Sequence, residues 1–243
     1  MNRTLVIGDI HGGMHALLQV FERAQVVPTD KIIFLGDYVD GWSESPQVLD
    51  FLMELNKTHY CIFMRGNHDD LLCQWLEGAT DNELWSQHGG SVTIAAYQEV
   101  TAEGKKKHIK FLHSLNNYFL DFQNRLFVHA GFSSLHGVTA EHFPEMLYWD
   151  RTLWETALAL DPNMKKDHIS YPRRLLLYNE IYIGHTPTTR IGESIPVKRA
   201  NVWNMDTGAA FVGSLTIMDI DSKEFWQSDP LPILYPHENG RNS

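Results

Sequence analysis

Six side chains with oxygen or nitrogen donors sit in short glycine-bearing motifs. They are Asp9 and His11 in GDIHG (8–12), Asp37 in GDYVDG (36–41), Asn67 in GNHD (66–69), His129 in HAG (129–131) and His185 in GHTP (184–187). Asp9 and His11, separated by one residue, make a compact chelate for a single ion. Asp37 can bridge from that ion to a second, which Asn67, His129 and His185 complete. Donors without sulfur argue against a closed structural zinc site and for manganese first, with iron or catalytic zinc as the other fits. Two divalent ions, partly neutralised by Asp9, Asp37 and a bridging hydroxide, leave a charge of about +1 that attracts an anion. Ions roughly 3.5–4 Å apart suit in-line attack of such a hydroxide on phosphorus. His68 neighbours a ligand without having to be one, so it can protonate the leaving alkoxide, with Asp40 holding the imidazole in place.

Each motif follows a short apolar run: Leu5-Val6-Ile7, Ile32-Ile33-Phe34-Leu35, Cys61-Ile62-Phe63-Met64, Leu126-Phe127-Val128 and Ile181-Tyr182-Ile183. A buried strand that ends in Gly-Asp or Gly-Asn-His puts polar groups at the mouth of a core, which packing alone does not favour. Repeated five times, the arrangement reads as one site built from loops on one edge of a sheet. Strand and helix alternate over the first hundred residues, as in a βαβ layout: strands at 4–7, 31–35 and 60–64, helices near 13–25, 45–56 and 69–77. Residues near 80–116 read as a helical insertion, strands resume at 117–122 and 125–129, and a second helical stretch covers about 141–178. The remainder (181–184, 201–205, 211–220 and 224–227) looks antiparallel. The expectation is one domain over 1–235, with a frayed tail at 236–243.

A length of 243 residues and 43% hydrophobic content allow a sizeable core. The formal charge of −10 disfavours long nucleic acids, whose phosphates need a cationic face. Lys105-Lys106-Lys107 reads as a solvated helix face rather than a docking patch. No signal peptide or membrane-spanning run is evident, and Cys61 and Cys73 read as buried free thiols. These features point to the reducing cytoplasm.

The order GDIHG, GDYVDG, GNHD, HAG, GHTP resembles the phosphoprotein phosphatase family of binuclear metallophosphoesterases, most of all its bacterial and bacteriophage members. WSQHGG (85–90) and NMDTGA (204–209) extend the likeness over most of the chain. The resemblance implies an α/β fold, a central β-sandwich of mixed sheets flanked by helices. It implies Asp9, His11 and Asp37 on one metal, Asp37, Asn67, His129 and His185 on the other, and His68 with Asp40 as the general-acid pair. Arg151, in YWDR (148–151), matches a phosphate-binding arginine of that family. Arg65 reads as structural. There are two departures. Gly41 and Trp42 stand where the family pattern has Arg-Gly, and Asp69 replaces the glutamate of GNHE. Trp42 is a candidate wall of the cleft. The implied activity is a metal-dependent phosphomonoesterase acting on phosphoserine and phosphothreonine in proteins or peptides. A dinucleoside polyphosphate hydrolase and a non-catalytic phosphoprotein binder are the competing readings.

Overall fold

Leu5, Val6 and Ile7 are all buried, as are Ile32, Ile33 and Phe34, because the strands they form are covered on both faces. Such strands lose the polar-apolar alternation and read as unbroken apolar runs. The computed structural model describes residues 3–79 and 82–242. Its strands are, first, β1 (Thr4–Ile7), β2 (Lys31–Phe34), β3 (Tyr60–Phe63), β4 (Tyr118–Leu120) and β5 (Arg125–Val128). Then follow β6 (Glu180–Ile183), β7 (Val197–Arg199), β8 (Val202–Asn204), β9 (Thr216–Asp219) and β10 (Phe225–Gln227). They form two five-stranded sheets, β10-β9-β1-β2-β3 and β4-β5-β6-β8-β7.

Alternate residues of the central strands feed different cores. Val6, Ile33, Leu35 and Met218 point at the second sheet and meet Phe127 and Tyr182, whose rings stack at 5.0 Å. Leu5, Ile7, Ile32 and Phe34 point the other way, onto Leu17, Val20, Val48 and Leu52. Those four belong to α1 (Met14–Arg23) and α2 (Ser45–Leu55), which cover the outer face of the first sheet. Leu126, Val128, Ile181 and Ile183 form the third core with Leu153 and Trp154. At about 1.5–3 kcal/mol for each fully buried large apolar side chain, these layers hold the sandwich together against chain entropy.

α3 (Asn67–Leu76) begins inside GNHD, two residues earlier than its apolar spacing suggests, so Asn67 and His68 occupy its first turn. α4 (Glu83–Trp85), α5 (Ser91–Ala96) and α6 (Ala102–His113) fill the first helical stretch, with a kink at His88 and Gly89. The second is less helical than expected. It holds α7 (Met146–Trp149), α8 (Thr152–Ala159) and a turn of 3₁₀ helix at Arg173–Leu176, and α9 (Leu231–Leu234) comes near the end of the chain. Among the described residues no helix is long and apolar enough to cross a membrane.

Two expectations need correction. β6 is not antiparallel: it runs parallel to β5 and to β8, because the long stretch between β5 and β6 carries the chain back before it re-enters the sheet. Residues 236–242, expected to fray, lie against the body of the fold. The Ser43 N–H and hydroxyl donate to Glu238 at 2.9 and 2.8 Å, and the Arg241 N–H donates to the Ala210 carbonyl at 2.8 Å.

Candidate metal centre

The parallel strands β1, β2, β3, β5, β6 and β8 all deliver their C-terminal loops to one place, at the joint edge of the two sheets. Asp37 is at its middle. Its Oδ2 lies 3.6 Å from His11 Nε2 and 3.4 Å from His129 Nε2. The His68 N–H, at the start of α3, donates to its Oδ1 at 3.0 Å. Asp9 Oδ2 is 3.8 Å from His11 Nε2 and accepts the His185 N–H at 2.9 Å. Asn67 Oδ1 lies 3.2 Å from His129 Nε2 and 2.9 Å from His185 Nδ1. All six side chains are buried, and the structure brings all six together.

The backbone is bent to achieve this. His11, Asp37, Asp40 and His185 have φ of 52°, 52°, 72° and 69°, a region that costs a non-glycine residue about 1 kcal/mol or more. Gly184 is required by a close approach, since a Cβ there would stand 1.9 Å from Asp9 Oδ1. Asp69 ties two loops together by accepting the N–H groups of Gly66, Asp37 and Tyr38 at 2.9, 2.8 and 2.8 Å. Burial and the charge of Asp37 push its carboxyl up to about 7, against the pull of those donors.

The electrostatics call for cations. Burial first, and the neighbouring Asp206 second, hold the Asp9 carboxyl well above its ordinary range. Burial opposes the charge of Asp37, yet the imidazoles of His129, His68 and His11 hold its carboxyl well below that range. Burial opposes protonation of His129 as well, but Asp37 outweighs it and lifts the imidazole to about 10. His11 and His185 are driven well below the usual range, chiefly by burial.

The donor set fits divalent metal. Ligand atoms of Asp37, His129 and His185 lie within 4.8 Å of one another, and so do those of His11, Asp37 and His68. Asp9 Oδ1 and His185 Nε2 are buried without a hydrogen-bond partner among the described residues. Buried polar atoms without partners are rare unless something else completes them.

His68 also has a second tie. Its Nδ1 is 2.7 Å from Asp40 Oδ2, which accepts from Trp85 Nε1 at 2.5 Å. Asp40 is fully buried. With Nδ1–H given to Asp40, Nε2 is left for the cavity that His68 lines. That cavity, about 300 Å³, is also bounded by Asp37, Arg151, Arg190, Arg241, Trp149 and Phe211.

A family model for calcineurin-like phosphoesterases matches residues 2–212. The chain belongs to that family. Metallophosphoesterases of this family are binuclear metal enzymes, so the cluster of donors and the family agree on metal-dependent phosphoester hydrolysis. Its relatives divide over substrate. An asymmetrical bis(5'-nucleosyl)-tetraphosphatase of Anoxybacillus flavithermus is 25% identical over 228 residues, 88% of each chain. A serine/threonine-protein phosphatase of Candida albicans is 43% identical over 98 residues, 38% of this chain and 31% of that one. The solved structure of a protein serine/threonine phosphatase from Saccharomyces cerevisiae superposes with a TM-score of 0.64 at 13% identity, covering 94% of this chain and 80% of that one.

Within this metallophosphoesterase some parts of the site were invisible in the sequence. Trp85 had a signal, since a buried indole N–H needs an acceptor, but its acceptor is 45 residues away. Asp206, Arg190 and Phe211 join the site only through the second sheet and its loops. Trp42, a candidate wall of the cleft, is instead fully buried, donating to the Ala209 carbonyl at 2.7 Å and stacked on Tyr235 at 5.1 Å. Arg65 pairs with Asp70 at 3.0 Å outside the donor cluster. Trp85→Phe should remove one donor from Asp40 and lower kcat about tenfold, roughly 1.4 kcal/mol, while bound metal stays constant. A change of less than twofold on an alkyl phosphate would remove Trp85 from the support of the acid.

Proposed function

We propose that the chain hydrolyses phosphomonoesters with two divalent metal ions, manganese before iron or zinc, held by Asp9, His11, Asp37, Asn67, His129 and His185. The observation that carries the reading is the Asp40–His68 pair set directly beside Asp37. Bound ions there supply positive charge and acidify a water molecule. The protein's own residues do the rest. Asp40 and Trp85 fix the ring of His68, and Nε2 gives its proton to the departing alkoxide oxygen. Arg151, drawn in among cavity-lining groups, offers a planar fork to the phosphoryl oxygens as their charge develops.

The substrate in this reading is phosphoserine or phosphothreonine in a protein or peptide. Leu84 and Trp149 at the cavity rim are 67% and 44% exposed, so a side chain carried on a polypeptide can enter without the fold opening. A second reading, a dinucleoside polyphosphate, is favoured by a specific observation. Three arginines, Arg151, Arg190 and Arg241, line one cavity together with the rings of Trp149 and Phe211. One phosphoryl group does not need three guanidinium groups, whereas several phosphates and a base do. The tetraphosphatase relative also aligns along most of this chain, while the phosphatase match covers 38% of it.

A single panel separates these readings. Manganese-loaded protein is given phosphopeptides, diadenosine tetraphosphate and nitrophenyl phosphate, with and without chelator. The first reading expects the highest kcat/KM on phosphopeptides, and chelation should abolish every activity. A preference for the dinucleotide of about tenfold or more, ~1.4 kcal/mol, transfers the assignment to the second reading. Activity that survives full metal removal would sink both.

A further inference from the structure

The loop that follows Asp40 opens on Gly41, and an arginine from the far end of the chain lies against it. The Cβ that Gly41 lacks would stand 3.4 Å from Arg241 Cγ, and the one Gly89 lacks would stand 3.1 Å from the same atom. Gly41 and Gly89 have φ of 104° and 102°, and a hydrogen bond from the Gly41 N–H to the Gly89 carbonyl at 3.4 Å joins them. Two glycines at positive φ, from separate loops, therefore clear a trough, and the aliphatic stem of Arg241 runs along it. The guanidinium lies over the ring of Phe211 at 5.3 Å and lines the cavity with His11, Asp37, His68 and Arg151.

Arg241 Nε is buried and finds no partner among the described residues. Arg3, Arg23 and Arg125, by contrast, are paired with Asp30, Asp229 and Asp121. A half-buried arginine with an unspent Nε–H and an aromatic ring beneath its guanidinium is suited to meet an anion.

The placement is fixed by the same loop that Arg241 serves. Ser43 holds Glu238 through two hydrogen bonds, Glu44 takes the hydroxyl of Tyr235, and Trp42 stacks on the Tyr235 ring. Gly240 passes so close to Trp42 that a Cβ there would meet the indole at 2.7 Å. Trp42, Ser43 and Glu44 thus form the cradle of the C-terminal segment, and that segment returns a cation to the position beside Gly41.

We propose that Arg241 is a substrate-binding residue, gripping a phosphoryl group of the substrate in the place left open at Gly41. The proposal rests on the phosphoester-hydrolase reading above. It makes the C-terminal segment part of the active site, and it shares between Arg151 and Arg241 a task that Gly41 leaves to no residue of its own loop.

The test uses the full-length, manganese-loaded protein as wild type, Arg241→Ala, Arg241→Lys and Arg151→Ala. Calorimetric titration with inorganic phosphate is the first readout, because it scores Arg241 even if no substrate turns over. KM and kcat on nitrophenyl phosphate are the second. Arg241→Ala should weaken phosphate binding and raise KM by about ten- to a hundredfold, as loss of charge-assisted bonds does. Metal content and Tm should stay at the wild-type values, Arg241→Lys should retain part of the affinity, and millimolar guanidinium ion should restore part of what Arg241→Ala lost. Changes under twofold in both Kd and KM for Arg241→Ala, alongside a normal wild type, would overturn the role of Arg241 alone. So would a loss that comes with a lowered Tm and no rescue by guanidinium. A wild type that binds no phosphate refutes this proposal, and one that also hydrolyses no phosphoester refutes the functional reading with it.

Discussion

Asp37→Asn should leave a folded protein with almost no turnover and with less than its full complement of metal. Asp37 belongs to both groups of ligand atoms, the one with His11 and the one with His129 and His185. A neutral amide in its place weakens both at once, so the loss should exceed the roughly 10–100-fold that changes beside a ligand cost. The carboxylate also carries His129, which it lifts to about 10 against burial, and it accepts the His68 N–H at the start of α3. Asparagine keeps the shape and an acceptor for that N–H, so the far-ultraviolet spectrum should be unchanged. Elemental analysis after gel filtration checks the metal, and kcat/KM on nitrophenyl phosphate checks the activity. Full occupancy with more than about a tenth of wild-type activity, a barrier change under ~1.4 kcal/mol, would take Asp37 out of the centre.

The strands that carry the proposed ligands were legible because they are buried on both faces. Val6, Ile33, Phe127 and Tyr182 could be read as core without knowing which core, since an unbroken apolar run gives the same signal for either face. That same ambiguity hid the direction of β6. Ile181-Tyr182-Ile183 carries no mark of parallel or antiparallel pairing, and its direction is decided by chain 50 residues upstream. The early start of α3 was hidden for another reason. Asn67 and His68 are polar, so apolar spacing places the helix after them, whereas the N–H acceptors Asp37 and Asp69 draw the first turn forward.

The six proposed ligands could be singled out because each follows its strand directly. A residue fixed to a strand end needs no long-range information to be placed. Residues that reach the site by other routes left no such trace. Trp85 comes from the short helix α4, and Arg241 from a segment whose composition reads as a loose end. Glu238, Gly240 and Arg241 are unremarkable as a string. They acquire meaning only against Ser43, Trp42 and Gly41, about two hundred residues earlier. The departure at Gly41 was visible in sequence, and its physical sense, space for another residue's stem, was not.

His68→Asn should lower kcat by about 10²–10⁴, the usual worth of a positioned general acid, with both metal ions retained. The geometry leaves two roles to distinguish. His68 lies with His11 and Asp37 in a group whose ligand atoms are all within 4.8 Å, which is ligand geometry. Its Nδ1, however, stands 2.7 Å from Asp40 Oδ2, an oxygen that also holds Trp85, and its ring meets His11 edge-on at 5.1 Å. A carboxylate on Nδ1–H fixes the ring orientation and leaves Nε2 toward the cavity, which is where an acid must stand. The leaving group separates the roles. Nitrophenolate departs with little help, so an acid is missed less on nitrophenyl phosphate than on an alkyl or seryl phosphate, whereas a lost ligand is missed equally on all. Asp40→Asn should show the same dependence on leaving group with a smaller loss, since the ring stays but its orientation loosens. Equal losses across leaving groups, together with a fall in bound metal, would make His68 a ligand and leave the proton donor to be found among the other groups of the cavity.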